Sequence, residues 1–564
     1  MVLAQVAQDL SAQAPQFAWA AISPELVLFG VGIIALLLET AGDRRPQASF
    51  VVMGVLAAGA VLAGLQTGER LLPGMVILAA ITQFALTLIW RERPRMLSAL
   101  LTGLGFAGAI AATGWQWAEY SGQATAMSAD GPFPIVGTAS AIGNMVAVDG
   151  VALFTRITIC LAGLLTVPLG YSYAEARRMH RGEYYPLLLF AATGMTLLAS
   201  SADLIMVFIS VEILSLALYV LTAFARRDLN AQEAAFKYFI LGAFSSALLL
   251  YGIAITYGIA GTTNISAVGA AMSALDTPQT MVLAAMALLI VGFGFKTAIV
   301  PFHMWTPDVY QGAPTPITGF MAAATKAAAF AAFLRVFVGA LATLQWSWVP
   351  VIWVLAAVTM IAGAVLAVVQ RDLKRMLGYS AIAHAGYVLL GLTAVSREGV
   401  SGLLLYLFIY ALMSIGSFGV LSLLEQRDRK AISLDDLRGL GRRYPVPAGM
   451  LGLFLLSLAG IPGTAGFIAK LGVFRAAVEA GQTPLVVVAV VSSVIAAFFY
   501  IRVIVTMFME DEPAADAEHA PVTDLVATTG TSAGLALAAA GVVVLGIIPG
   551  ALIDFARQAA SFAG

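Results

Sequence analysis

Four ionisable side chains sit inside stretches that read as lipid-spanning. Glu212 is near the middle of DLIMVFISVEILSLALYVLTAF, and Lys296 ends the apolar run MVLAAMALLIVGFGF. Lys326 is central in ITGFMAAATKAAAFAAFLRVF, and Lys470 follows the interruption in SLAGIPGTAGFIAKLGVF. A charge at mid-bilayer costs roughly 2.5–3.5 kcal/mol on insertion scales, so such a residue is a functional hypothesis by default. A buried lysine whose proton affinity falls toward neutrality can lose and regain a proton. The four residues together predict a lateral proton relay. The competing reading is a set of structural ion pairs, or lysines snorkelling to the interface. Three cations against one acid speak against mutual pairing.

Other titratable residues leave more than one reading open. Lys237, in NAQEAAFKYF, follows Glu233 by four residues, the favoured order for a helical ion pair. A structural role and a relay role are both open for it. His303 and His384 titrate near neutrality and are candidate proton carriers, with a hydrogen-bonded packing role preferred for His384. Asp149 and Glu39 lie at span ends, where an interfacial position is expected.

The chain also breaks where two of the lysines are. Pro301 removes a backbone hydrogen bond and clashes with the preceding turn, so the helix carrying Lys296 is expected to end there. Ile461, Pro462 and Gly463 signal a second break just before Lys470. Non-helical backbone at membrane depth is tolerated only when buried or facing a water-filled cavity. A break therefore supplies free backbone groups and room for water beside a buried lysine.

The elements that position these residues are helices. Of the 564 residues 60% are hydrophobic and 11% charged, and the mean hydropathy is +0.92. A soluble domain carries about 25% charged residues. A spanning helix needs about 20 mainly apolar residues. Sixteen candidate spans centre near residues 32, 58, 82, 107, 160, 192, 214, 246, 290, 328, 360, 385, 412, 457, 496 and 538. The expected fold is an all-α polytopic membrane protein without an appended soluble domain. The interrupted spans are ninth and fourteenth, five apart, and an odd offset reverses orientation. Matching interruptions of this kind predict inverted five-helix repeats with a pathway near the midplane.

Basic clusters at 42–47, 91–95, 175–181, 225–228, 370–375 and 425–445 alternate with loops poor in Lys and Arg at 117–137 and 257–269. By the positive-inside rule this places both termini outside. The acidic segment 510–524 falls inside but carries little orienting weight. The first 19 residues lack a basic region followed by an apolar core, so no cleaved signal peptide is expected.

Composition and motifs exclude several chemistries. The formal net charge is −1, so no bulk charge points to nucleic acid. One cysteine, Cys160, rules out an intrachain disulfide, and a cysteine-held iron–sulfur cluster normally needs four thiolates. GLGFAG at 103–108 matches a dinucleotide fingerprint but lies within an apolar span with no preceding strand, which favours helix packing. NIS at 264–266 is a glycosylation sequon that matters only in a secretory pathway. There is no Walker loop, no CxxCH and no plausible metal cluster.

Several segments resemble a known family. They are GEYYPLLLFAATGMTLLASSADLIMVFISVEILSLALYVLTAF, EAAFKYFILGAFSSALLLYG, FKTAIVPFHMWTPDVYQGAPTPITGF, ATKAAAFAAFLRVF and IPGTAGFIAKLGVF, dispersed from about Asp149 to Arg502. They are similar to the antiporter-like subunit N of proton-pumping NADH:quinone oxidoreductase, respiratory complex I. PDVYQGAPTP points to subunit N over its sister subunits. The resemblance implies that Glu212 closes the relay toward a neighbouring subunit. It also implies that Lys296 and Lys470 are the lysines of the two broken helices and Lys326 the central connecting lysine. Lys237 matches a further lysine associated with the glutamate.

The family core has fourteen helices, so residues 48–92 read as a two-helix insertion. The expected divisions are 1–148, N-terminal helices with the insertion; 149–510, the antiporter-like proton-translocating core; and 511–564, an acidic loop and C-terminal helix. The resemblance implies no cofactor in this chain, with NAD, FMN, iron–sulfur clusters and quinone held by the parent complex. The implied partners are other membrane-arm subunits, including a sister antiporter-like subunit, and membrane lipid, but no nucleic acid. The implied location is a bacterial-type inner (plasma) membrane, multi-pass. A free-standing multi-subunit cation/proton antiporter is the alternative, and a purely structural membrane scaffold is the third reading.

Overall fold

The structure is a computed structural model that describes residues 19–42, 94–124, 145–177, 179, 182–274, 280–425, 432–511, 525 and 527–562. The described elements are helices, and the only strand-like pairings among them are isolated bridges at Val146–Ser201, Asp203–Asn264 and Asp372–Ser433. Among the described residues eleven helices are long and apolar enough to cross a membrane, and three shorter apolar helices accompany them. Fourteen of the expected span centres fall within these helices. The expected spans near 58 and 82, and with them the insertion at 48–92, lie outside the described residues.

The helices are numbered in chain order. The first seven are α1 (Ser23–Gly42), α2 (Pro94–Ala124), α3 (Gly150–Ala176), α4 (Tyr184–Ala199), α5 (Leu204–Thr222), α6 (Leu229–Ala260) and α7 (Ile265–Ser273). Next come α8 (Thr280–Thr297), α9 (Trp305–Gly312), α10 (Thr315–Ala340), α11 (Gln345–Val368), α12 (Leu373–Thr393) and α13 (Arg397–Leu424). The last five are α14 (Pro445–Ala459), α15 (Ala465–Glu479), α16 (Thr483–Met509), α17 (Thr529–Ile547) and α18 (Gly550–Phe562). A side-chain oxygen at the N-cap satisfies an orphan amide of the first turn. Asp149, Asp203, Asp228, Asp372 and Ser396 cap α3, α5, α6, α12 and α13 in this way.

The core sits around α10, where every residue from 315 to 338 is buried. Its neighbours α12 and α13 are almost as enclosed, whereas α6, α16 and α17 turn much of their apolar surface outward, toward lipid or a partner. Within α10 the residues Met321–Thr325 and Arg335–Ala340 are π-helical. The first of these segments ends immediately before Lys326. Single π turns inside α-helices leave backbone groups displaced and are frequent at functional sites.

Both expected interruptions are present. Helix α8 ends at Thr297, four residues before Pro301, the position whose carbonyl a proline ring would strike. Ala298 takes a left-handed φ of 62°, and the chain resumes as α9. The freed groups are satisfied locally: Trp305 Nε1 donates to Phe295 O at 2.9 Å, and Val300 N–H donates to the Thr359 hydroxyl at 3.0 Å. At the second break α14 ends at Ala459, and Gly460 and Gly463 take φ of 86° and 88°.

Candidate functional site

Helix α5 presents Glu212, Ser215 and Tyr219 at spacings of three and four, which puts them on one face. That face meets the end of α8. The Lys296 ammonium is buried and donates to the Ser215 hydroxyl at 2.6 Å, and Ser215 in turn donates to Val211 O. Glu212 lies within electrostatic range of Lys296. Its Oε1 is buried and has no hydrogen-bond partner.

Lys326 is buried on α10 and donates to the carbonyl of Ala381, on α12. Among the described residues Lys296 and Lys326 share no hydrogen-bond partner. Their interactions diverge, Lys296 toward α5 and Lys326 toward α12 and α13. No direct hydrogen bond therefore joins these two members of the expected relay.

Lys470 is buried in the second turn of α15. Its ammonium reaches back across the break to Ala459 O at 2.8 Å and to the Ser493 hydroxyl on α16 at 2.7 Å. It thereby supplies a cation to the C-terminal carbonyls of α14, the negative end of that helix. Lys296 stands in the last turn of α8 itself. Each interruption thus has a lysine beside a helix C-terminus, Lys470 bonded to its carbonyl and Lys296 bonded instead to Ser215.

His384 is buried on α12. Its Nδ1 is 2.6 Å from Tyr406 Oη and its Nε2 is 3.2 Å from Tyr500 Oη, and Tyr500 is also hydrogen-bonded to Ser380. One phenol must donate to the bare ring nitrogen while the other accepts the ring N–H. Lys326 and Lys470 both act electrostatically on His384. Both ring nitrogens are thus engaged, and the same bonds connect the ring to α13 and α16.

Two candidates stand apart. Lys237 is part-exposed and pairs with Glu233 at 2.7 Å, the i,i+4 pair read from the sequence, and with Asp308 at 2.8 Å. Asp308 also accepts from Arg375 at 2.5 Å. This chain of charges ties α6, α9 and α12 together. The carboxylates that Lys237 engages are Glu233 and Asp308, not Glu212. His303 is half-buried on the connector after Pro301, with Nδ1 unpartnered.

Asp149 has a further role at its expected span end. It does lie at a span end, as the cap of α3, but it is 3% exposed and grips Arg335 with both oxygens at 2.6 and 2.8 Å. It is an internal strut, because an arginine in the second π segment of α10 arrives beside it. Similar buried pairs join Arg156 to Glu25 at 2.8 Å and Lys374 to Glu425 at 3.2 Å. The side chain of Glu39 lies outside the described residues.

Sequence reading passed over the hydroxyls and aromatic rings around the lysines: Ser215, Tyr219, Tyr238, Tyr387, Tyr410 and Ser493. The available signal was spacing. Ser215 is three residues after Glu212, Tyr387 three after His384, and Tyr406 and Tyr410 are four apart in an apolar span.

The fold and this set of buried amines define a helical membrane protein with lysines buried beside interrupted helices. Residues 201–496 match a family model described as NADH:quinone oxidoreductase/Mrp antiporter, TM. The chain is 42% identical to subunit N of the NADH-quinone oxidoreductase of Rhodococcus opacus, over 99% of this chain and 98% of that one. A chain of respiratory complex I from Thermus thermophilus superposes with a TM-score of 0.66 at 34% identity, covering 84% of this chain and 97% of that chain. A chain of the Mrp complex from Dietzia sp. shares the fold alone, with a TM-score of 0.69 at 22% identity, covering 90% of this chain and 97% of that one. The protein belongs to the NADH-quinone oxidoreductase subunit N family.

Proposed function

We propose that this chain carries protons for an NADH:quinone oxidoreductase through a buried relay of Glu212, Lys296, Lys326, His384 and Lys470. Electron transfer from NADH to quinone takes place on cofactors of other subunits, and its energy reaches this chain as a conformational or electrostatic bias. A sister antiporter-like subunit is the neighbour toward which Glu212 hands on the bias. Lys237 and His303 are outside the relay, Lys237 as a surface tie and His303 as part of the connector. The two interrupted helices belong to inverted repeats, and the protein spans a bacterial-type inner membrane.

One observation supports this reading above the others. Three lysines are buried, two beside the interruptions and one in the core helix α10, and their hydrogen bonds go to serine hydroxyls and backbone carbonyls, with no salt bridge among the described residues. Removing charge from water costs several kcal/mol per ion, and a structural scaffold would recover part of that with a carboxylate. A lysine left with neutral partners can exist as ammonium or as amine, as a relay requires. The Mrp likeness extends to the fold, and co-purification with an NADH-oxidising assembly separates the two readings.

The test uses membranes with matched levels of the assembled complex. Lys326→Ala and Lys326→Arg are both expected to lower quinone-linked NADH oxidation and proton pumping together, because guanidinium hardly deprotonates. NADH oxidation by an artificial acceptor is expected to stay at wild type. Wild-type pumping in Lys326→Ala would remove this residue from the relay and favour the scaffold.

A further inference from the structure

Each buried ammonium lies over aromatic ring faces. Lys296 Nζ is 5.9, 5.7 and 5.5 Å from the ring centres of Tyr219, Tyr238 and Phe295. Lys326 Nζ is 5.7 Å from Tyr410, and Lys470 Nζ is 5.0 Å from Tyr387. All lie within the roughly 6 Å at which a ring quadrupole attracts a cation. The rings also converge on one residue. His384 is 5.0 Å from the Tyr410 ring and 5.6 Å from the Tyr387 ring, edge-on at 86°. The groups run in the order Lys326, Tyr410, His384, Tyr387, Lys470.

The geometry points to Tyr387 and Tyr410 as positioning residues whose ring faces stand in for the missing counter-charges of Lys470 and Lys326. They hold each ammonium in place and set how readily it gives up its proton. The inference rests on the relay proposed above and adds what tunes it. A carboxylate beside each lysine would favour the charged form strongly, and a wholly aliphatic site would disfavour it strongly. A ring face stabilises the cation by a smaller amount and is no base, so it does not compete for the proton. Hydrogen bonds hold the Tyr387 ring in place. Its hydroxyl meets Ser492 at 3.1 Å, and Ser492 donates to Met360 O at 2.8 Å.

The test is made at Tyr387 in the assembled complex. Tyr387 and His384 are the titratable groups whose interaction with Lys470 is direct. Of the helices packed against α15, α12 also carries Lys374, Arg375 and Tyr379, α13 carries Arg397, Glu398, Tyr406 and Tyr410, and α16 carries Tyr500 and Arg502, while α15 itself adds Arg475 and Glu479. Helices α14 and α17 carry none. Tyr387 is replaced by phenylalanine and then by mono-, di- and trifluorophenylalanine, which weaken the ring face at nearly constant shape. Tyr387→Phe is expected to keep pumping within about twofold, since a single hydrogen bond is lost while the face remains. Successive fluorines are expected to move the alkaline limb of the pumping pH profile to lower pH, by about half a unit over the series. The sign follows because a weaker face stabilises the ammonium less. Tyr387→Leu is expected to shift the limb further.

A profile unmoved by fluorine overturns the inference, even if Tyr387→Leu fails to assemble. Lys470→Met is measured alongside. Wild-type pumping in Lys470→Met overturns the relay itself. An inactive Lys470→Met with an unmoved fluorine series leaves the relay standing and overturns only the role of the rings.

Discussion

The Lys470 ammonium closes the end of the helix before its own, donating to Ala459 O at 2.8 Å across the break. Gly460 makes this possible. Its φ is +86°, and a Cβ there would lie 2.9 Å from Lys470 Cδ. Gly460→Ala should cost about 1–2 kcal/mol for the left-handed backbone and also push the lysine off its carbonyl. Pumping should fall well below that of Gly449→Ala, at a helical position with nothing within 4 Å. Equal pumping in the two variants, at matched complex levels, would count against the placement of Lys470.

Ser215 is the oxygen partner of Lys296. Hydrogen bonds to charged groups are worth about 1.5–3 kcal/mol, and Ser215→Ala leaves the ammonium buried without one. The variant should assemble, because one hydroxyl is removed from a large core. Its quinone-linked NADH oxidation should drop several-fold while artificial-acceptor activity is kept. Unchanged coupled activity would mean that Lys296 finds another partner, with Glu212 Oε1 and Tyr238 Oη both unsatisfied oxygens of the same region.

Lys237 and Asp308 separate surface ties from the relay. Exposed ion pairs contribute about 0.2–1 kcal/mol. Lys237→Ala should therefore leave pumping within about twofold of wild type. Asp308→Asn should be worse for thermal stability of the complex, because the carboxylate serves Lys237 and Arg375 together. Loss of pumping in Lys237→Ala at full assembly would restore the relay role that the family resemblance implied for it.

The parts of this molecule legible in the sequence were those with local causes. A proline ring breaks a helix wherever it occurs, so Pro301 and the Pro462–Gly463 pair announced the interruptions. A charge in an apolar run is conspicuous in isolation, so Glu212 and the three lysines stood out. The π turn before Lys326 was not legible, since Met321–Thr325 is MAAAT and carries no marker. Tyrosines in apolar spans read as packing, because nothing local shows which cation their faces meet. Asp149 read as interfacial because its partner Arg335 is 186 residues away.

That Asp149–Arg335 pair makes a stability prediction. Removing one partner of a buried pair strands a charge and costs about 3–5 kcal/mol, whereas replacing both with apolar residues is often neutral. Asp149→Ala should sharply lower the level of assembled complex. Asp149→Leu combined with Arg335→Met should recover much of it. Failure of the double variant would indicate that the two hydrogen bonds tying Asp149 and Arg335 to the backbone of α3 and α4 matter more than the charges.

The last prediction concerns which way the protein faces. Contacts between loops sort them onto two faces without reference to charge. On one face Arg177 approaches Asp228 at 3.8 Å, Asp372 bridges to Ser433, and Arg438 and Arg442 reach Glu510 and Asp511 at 3.0 and 2.9 Å. Lys237, near the start of α6, joins this face to the start of α12 through Asp308 and Arg375. On the other face Ala202 N–H bonds Met145 O at 2.8 Å, Thr263 bonds Asp203 at 2.7 Å, and Asp149 holds Arg335. The described residues of the basic clusters at 175–181, 225–228, 370–375 and 425–445 fall on the first face, which the positive-inside rule assigns to the inside. Reporter fusions at residues 178 and 428 should therefore report inside, and one at 264 outside. Fusions at 44 and 125 should report inside and outside, which requires an even number of crossings between 44 and the start of α2, as an inserted pair at 48–92 would supply. An outside signal at 178 would invert every assignment on that face, and would move the side from which protons reach Lys326.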